Sequence, residues 1–252
     1  MNVLSLFDGM SCGQIALERA GIKVENYFAS EINKYAIQVT KHNYPNTKHI
    51  GDVTKVKGDE LPKIGLLIGG SPCQGFSFAG KQLNFDDSRS KLFFEYVRLK
   101  NELNPKYFLL ENVMMKDKWK SVISETLGVE PIMINSNLVS AQDRKRLYWT
   151  NIPNISVPED KGLYLKDIME DIVDKKYNIT ERFYKKIEGT LSYKKSRGNC
   201  RTPNRKSKTL TTGGHGISNS GSTNIKINDN FLRIPTPLEC ERLQTVPDNY
   251  TN

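Results

Sequence analysis

"KIGLLIGGSPCQGFS", residues 63–77, carries a short apolar run, Ile64–Ile68, followed by a glycine pair and then by Ser-Pro-Cys. The run shows no alternation of polar and apolar residues. A run of that kind and length predicts a strand buried on both faces, as in a parallel sheet covered by helices above and below. Cys73 then stands at the mouth of the strand, on a loop that Pro72 stiffens by fixing its own φ and restricting Ser71.

The flanking sequence repeats the theme. "NVLSLF" (2–7), "ENYFASEI" (25–32) and "KHIGDV" (48–53) read as strands, with helical spacing between them in "QIALERAG" (14–21) and "INKYAIQVTKHNY" (32–44). Gly21 and Pro45 supply the stop signals. After the opening stretch, "SKLFFEYVRLKNEL" (90–103) presents one broad apolar helical face. "KYFLLENV" (106–113) is another buried strand, "WKSVISETLG" (119–128) a helix closed by Gly128, and "PIMINSNLV" (131–139) and "RLYWTNI" (146–152) are strands. The alternation predicts an α/β fold with a doubly wound, mostly parallel sheet.

From about residue 155 the texture changes. Residues 157–189 are polar, with one or two short helices, and 189–230 are rich in Gly, Ser, Thr, Asn and Lys. "TPLECERLQ" then restores order: Thr236 caps a helix starting at Pro237, with Glu239 as its capping-box partner. The expected organisation is a first domain at 1–154, a small, loop-rich basic module at 155–232, and a return segment at 233–252 that packs on the first domain.

Composition bounds the function. With 37% hydrophobic and 26% charged residues and no run near the ~20 apolar residues that span a bilayer, the chain does not read as a membrane protein. "MNVLSLFDG" is no signal peptide, so a cytoplasmic location is expected. Cys12, Cys73, Cys200 and Cys240 form no C-x-x-C pair, and His42, His49 and His215 are scattered, so neither a disulfide framework nor a metal site is expected. Between Arg182 and Lys208 ten basic residues face one acid, Glu188, and this segment accounts for the whole formal charge of +9. It is either a solvated basic face or a footprint for nucleic-acid phosphates.

In an open parallel sheet, ligands bind outside the carboxyl ends of the strands. "FDGMSCG" (7–13), Glu31, "SPCQG" (71–75) and "ENV" (111–113) all fall at such ends. Gly9 and Gly13 let backbone approach a ligand closely, but the full G-x-G-x-x-G pattern of a dinucleotide site is missing. Glu31 suits two ribose hydroxyls, and Asp52 can accept from an adenine amine. An acidic rim of this kind favours a nucleoside cofactor without phosphates, and the positive sulfonium of S-adenosylmethionine fits it best. On the loop facing this site a Cys73 thiolate is a candidate nucleophile, and Glu111 a candidate proton holder for an electron-poor ring.

"FDGMSCG", "GGSPCQGFS", "ENV", "SAQDRKRLYW" and "PTPLECERLQTVPDNYT" stand in the order and spacing of the cytosine-carbon-5 DNA methyltransferase family, which residues 1–152 and 233–251 resemble. The resemblance implies a Rossmann-like methyltransferase sheet, S-adenosylmethionine as cofactor with S-adenosylhomocysteine as product, no metal, and double-stranded DNA as partner. It implies that Cys73 attacks carbon 6 of a flipped-out cytosine, that Glu111 contacts ring nitrogen 3 and the exocyclic amine, that Arg146 contacts oxygen 2, and that Arg144 orders the cysteine loop. Phe7, Asp8, Gly9, Met10, Glu31, Ile32, Asp52, Val53, Pro72 and Leu92 match cofactor positions; Phe7 and Leu92 also read as plain core and Asp52 as a turn residue. The basic module takes the target-recognition position, with Arg197, Arg201, Arg205 and Lys206 as nucleic-acid contacts.

Two departures are visible. Ser11 and Cys12 replace a glycine-rich continuation of the first motif, and the family's last motif, an Asn or Ser near a Val-Pro, does not follow "PDNYT". The expectation is a truncated chain, a piece supplied by another chain, or weakened cofactor binding. A tRNA cytosine methyltransferase is the alternative enzyme; its Cys-Phe-Thr signature is not matched by "NCRTPNRKS" (199–207). A DNA-binding relative without catalysis is the third reading. The expected setting is a bacterium or a phage-infected host, with the enzyme a monomer, either paired with a restriction nuclease or acting alone.

Overall fold

The structure, a computed structural model, describes residues 1–72, 88–179, 200–211, 223–228 and 231–252, with backbone alone at 88–90 and 231. By its internal contacts the chain forms two compact units, Met1–Ile134 with Lys145–Ser156, and Asn135–Arg144 with Val157–Asn252.

The first unit is built from β1 (Asn2–Leu6), α1 (Cys12–Arg19), β2 (Asn26–Ser30), α2 (Lys34–Asn43), β3 (Lys48–His49), β4 (Leu66–Gly69), α3 (Ser88–Leu103), β5 (Tyr107–Val113), α4 (Asp117–Leu127), β6 (Ile132–Asn135) and β7 (Lys145–Thr150). The strands form one Rossmann-like sheet in the order β3-β2-β1-β4-β5-β7-β6. β1 pairs in parallel with both β2 and β4, and β4 with β5; β7 runs antiparallel to β5. The register puts Leu4 between Phe28 and Leu67, and Phe108 beside Leu67. This row packs with Phe93, Tyr96 and Leu99 of α3 and Trp119, Ile123 and Leu127 of α4 into the main core. Val3, Tyr27, Ala29 and Leu66 form a second cluster with Leu17 of α1.

Local chemistry sets the boundaries. Asn33 caps α2 by accepting from the amides of Tyr35 and Ala36 at 3.0 and 3.2 Å. Gly128 ends α4 at φ 72°, the left-handed form that glycine adopts without strain. Two expected strands are shorter than the sequence suggests. "KHIGDV" keeps only Lys48–His49 as strand, because Asp52 accepts from the Thr54 amide and starts a 3₁₀ turn. "PIMINSNLV" stops at Asn135, whose side chain accepts from the Asn137 amide and starts another.

The second unit contains a four-stranded sheet of β8 (Asn178–Ile179), β9 (Cys200–Arg201), β10 (Asn224–Asn228) and β11 (Phe231–Arg233), in the order β8-β11-β10-β9. It also holds α5 (Pro237–Leu243), which begins with the expected capping box between Thr236 and Glu239. The division differs from the expected 1–154, 155–232 and 233–252 in that 135–144 and α5 group with 157–232. Gln142 accounts for much of this. It is 1% exposed, its Nε2 donates to Leu243 O at 2.9 Å, and its Oε1 accepts from Leu210 N at 2.9 Å. Among the described residues no helix is long and apolar enough to cross a membrane.

Candidate active site

The chain runs outward from β1 to β2 and β3, then returns to β4 on the other side of β1. The carboxyl ends of β1 and β4 therefore flank the switch point where open α/β sheets bind ligands. The loop after β1 has Phe7, Gly9 and Ser11 at φ 57°, 61° and 61°. The left-handed region costs a residue other than glycine about 1–2 kcal/mol, so Phe7 and Ser11 hold it because their surroundings impose it. Asp8 N donates to Ser30 O at 3.2 Å and Gly9 N to Glu31 Oε2 at 2.8 Å. Glu31 Oε1 accepts from the amides of Ile32 and Asn33, both at 2.8 Å.

The remaining cofactor candidates differ in exposure. Ile32 is 76% exposed at the end of β2, an apolar face beside the Glu31 carboxylate. Asp52 Oδ1 accepts from Thr54 N at 3.0 Å and from Thr54 Oγ1 at 2.9 Å, and these bonds hold its carboxyl below the usual range. Among the described residues its Oδ2 takes no bond. An exposed apolar residue next to the Glu31 carboxylate, with the glycine-bearing turn of Gly9 bonded to that same carboxylate, fits an uncharged nucleoside carrying a cationic group. Val53 is buried in the main core, and Phe7 and Leu92 pack against it. Met10 and Pro72 are half-buried.

On the neighbouring rim, Glu111 of β5 sits opposite Tyr148 and Val113 opposite Arg146. Glu111 and Arg146 are thus diagonal neighbours on one face of the sheet. Arg146 Nε lies 2.7 Å from Glu111 Oε1, with the two side chains 12% and 32% exposed. The Nε–H bond is not aimed at the carboxylate, so this is a close ionic contact rather than a directed hydrogen bond, and Nη1 donates to Lys145 O at 2.8 Å. The glycine pair after β4 is shaped by its neighbours: a Cβ at Gly69 would lie 2.9 Å from the Tyr96 ring, and one at Gly70 3.3 Å from Glu111 Oε2.

Asn112 belongs to this rim although the sequence reading assigned it no role. It is 1% exposed, its Oδ1 accepts from Val113 N at 2.8 Å, and its Nδ2 lies 3.4 Å from both Ser71 O and Ser71 Oγ. It links β5 to the residue before Pro72. The available signal was an amide inside an apolar strand, which must find partners when buried.

Cys73 and Arg197 lie outside the described residues. Of the other cysteines, Cys12 is exposed at the start of α1 and Cys200 is half-buried. The Cys240 thiol is pushed up to about 11 by burial beside Glu239 and Glu241, which makes it a poor nucleophile.

In the second unit, Arg144 is half-buried; its amide donates to Asn135 Oδ1 at 3.0 Å and its carbonyl accepts from Ser136 N at 3.0 Å. Arg201 Nη1 donates to Cys200 O at 2.9 Å, and Arg205 is exposed. Lys208 is lowered from its ordinary value by burial and by Arg201 beside it. Lys206 is held internally. Its ammonium donates to Asn137 O at 2.5 Å and Ser140 O at 3.2 Å, lies 3.9 Å from Asp160, and sits on a side chain 18% exposed. Among the described residues no group of three or more His, Cys, Asp or Glu is placed to hold a metal ion.

The profile of the C-5 cytosine-specific DNA methylase family matches residues 1–252. The chain is 32% identical over 274 residues to the type II methyltransferase M1.ScrFI of Lactococcus lactis subsp. cremoris, covering 98% of this chain and 70% of that protein. It is 36% identical over 176 residues to the orphan methyltransferase M.SPRI of Bacillus phage SPR, covering 69% of this chain and 39% of that protein. Among solved structures, the Entamoeba histolytica methyltransferase EhMeth matches with a TM-score of 0.82 at 16% identity, covering 99% of this chain and 87% of that one. S. pombe Dnmt2 matches at 0.77 and 19%, covering 100% and 88%, and these two likenesses speak for the fold alone. The chain belongs to the C-5 cytosine-specific DNA methylase family, enzymes that place a methyl group on carbon 5 of cytosine in DNA.

Proposed function

We propose that this chain methylates double-stranded DNA at carbon 5 of cytosine, as a monomer in the cytoplasm of a bacterium or phage-infected host, with Cys73 as nucleophile and S-adenosylmethionine as methyl donor. The observation that carries the reading is the Glu111–Arg146 pair at 2.7 Å, set at the carboxyl end of β5 beside the switch point. An acid and a cation side by side suit two adjacent atoms on one edge of a cytosine ring, nitrogen 3 and oxygen 2.

Glu31 and Asp52 hold the cofactor's hydroxyls and amine, while Phe7, Gly9, Met10, Ile32 and Leu92 line its place. When bound, the cofactor supplies an electrophilic methyl group. The Cys73 sulfur bonds to carbon 6 of a flipped-out cytosine, and the electron pair of the 5,6 double bond moves toward carbon 5 and the ring. Glu111, as its acid, holds a proton on nitrogen 3 and takes up the exocyclic amine, so that charge does not build on the ring. Arg146 faces oxygen 2, and Arg144 orders the cysteine loop. Carbon 5 gains the methyl group and loses its proton to a base; the double bond re-forms, the thiolate leaves, and the proton on nitrogen 3 returns to Glu111. Flipping the base costs a few kcal/mol, offset by these contacts. Residues 155–232 serve as the recognition module, with Arg197, Arg201 and Arg205 toward DNA and Lys206 bracing the loop that carries them.

The test is transfer of labelled methyl from S-adenosylmethionine to duplex DNA and to bulk tRNA, with Cys73→Ser in parallel. Label enters DNA with the parent chain and falls by at least about a hundredfold with the mutant, because the weaker serine nucleophile lacks the thiolate. Label in tRNA alone reassigns the substrate. No label in either rejects the reading.

A further inference from the structure

The loop after β1 contains Asp8, counted above among the cofactor positions, whose two carboxylate oxygens accept from hydroxyls of the protein itself. Asp8 lies between Phe7 and Gly9, yet its side chain is taken up by the sheet face and its covering helices. Tyr27 Oη donates to Asp8 Oδ1 at 2.7 Å, and Ser11 Oγ donates to Asp8 Oδ2 in a short hydrogen bond. Behind Ser11, Thr40 Oγ1 of α2 donates to Ser11 Oγ at 3.2 Å. Ser11 and Thr40 are fully buried and Tyr27 is 4% exposed, its ring packed with Val3 and Leu17. The start of α1 is cut to the same hydroxyl, since a Cβ at Gly13 would lie 2.6 Å from Tyr27 Oη.

This chain of groups braces a costly backbone. Phe7 and Ser11 both stand at positive φ, a conformation that persists only where other contacts over-determine it. One of those contacts, Gly9 N to Glu31, uses the very carboxylate assigned to the ribose. The Asp8 tether is made of protein hydroxyls alone. Burial raises the Asp8 carboxyl above its ordinary value while the hydroxyls of Ser11, Ser5 and Tyr27 oppose that rise, so each hydroxyl favours the charged, accepting form.

We infer that Tyr27, backed by Ser11 and Thr40, is a positioning residue of the cofactor site: through the Asp8 carboxylate it holds residues 7–11 in the form that receives the methyl donor. The inference rests on the S-adenosylmethionine reading of this rim.

Tyr27→Phe removes one oxygen and keeps the ring that packs on Val3 and Leu17; Ser11→Ala removes the second donor. Parent and variants are titrated with S-adenosylmethionine by calorimetry, assayed on duplex DNA, and checked for duplex affinity and melting temperature. Both variants are expected to raise the cofactor Kd and KM roughly tenfold, with kcat at saturating cofactor and duplex Kd within about twofold of the parent. A cofactor Kd within about twofold of the parent for Tyr27→Phe overturns the inference and leaves the cofactor reading standing. Parallel losses of kcat, duplex affinity and cofactor affinity overturn it too, because a general loss of fold explains them. A parent chain that takes up no S-adenosylmethionine overturns the cofactor reading, and this inference with it.

Discussion

Glu239 carries a charge at 0% exposure, a place where an unpaired carboxylate is untenable. Arg233, 2% exposed, meets it with two bonds of 2.6 Å, Nη1 to Oε2 and Nη2 to Oε1, while the amides of Glu170 and Thr236 donate to the same oxygens at 3.0 Å. Glu239→Gln keeps the shape but leaves a buried guanidinium without a counter-charge. Breaking one partner of a buried pair costs about 3–5 kcal/mol. Urea unfolding should show that loss in the midpoint with an unchanged slope, and replacing both residues by apolar ones should cost less than the single change. The capping box itself was legible in "TPLE", because its partners lie three residues apart. The ion pair was not: Arg233 reads as one more surface cation until β11 brings it against α5. Asn112, Gln142 and Tyr27 escaped the sequence reading for the same reason, since their partners lie from 19 to 101 residues away along the chain.

At the scale of elements, helices were easier to place than strand directions. The helix at 119–128 and its end at Gly128 were read from the sequence, and the structure shows Trp119, Ile123 and Leu127, four residues apart, on its buried face. "RLYWTNI" gave a strand with Leu147 and Trp149 on one face, but that alternation is the same read in either direction. Only the pairing shows β7 running against β5, and that register is what brings Arg146 diagonally across to Glu111. Trp149 secures it: fully buried, it donates Nε1–H to Ser124 Oγ of α4 at 3.0 Å. Ser124→Ala leaves the indole N–H buried and unpaired, a cost of about 1–3 kcal/mol. Measured by thermal unfolding, the variant should melt several degrees lower. Cofactor affinity should be retained, because α4 bears none of the residues assigned to the cofactor. An unchanged melting temperature would show that the indole finds another acceptor.

For the whole molecule, charge is unevenly placed along the chain. The rim of the first unit is acidic at Glu31, Asp52 and Glu111, while the formal excess of +9 lies in one stretch of 27 residues, 182–208. That contrast was plain in the sequence, but the work done by each cation was not. Lys206 looked equal to its neighbours, yet its ammonium is engaged by Asn137 O and Ser140 O, whereas Arg205 is exposed. Salt dependence separates the two roles. Each phosphate neutralised by a protein cation adds about 0.9 to the slope of log K against log salt on duplex DNA. Arg201→Gln with Arg205→Gln should therefore flatten the slope by about 1.8 and leave the melting temperature nearly unchanged if both arginines contact phosphate. Lys206→Gln should lower the melting temperature, because two buried-side carbonyls lose their donor, and change the slope little. Fluorescence anisotropy on one duplex from low to moderate salt, run beside thermal unfolding, reads both. A slope unmoved by the arginine pair places the phosphate contacts elsewhere in the basic stretch, and a slope that falls with Lys206→Gln alone makes that lysine a DNA contact after all.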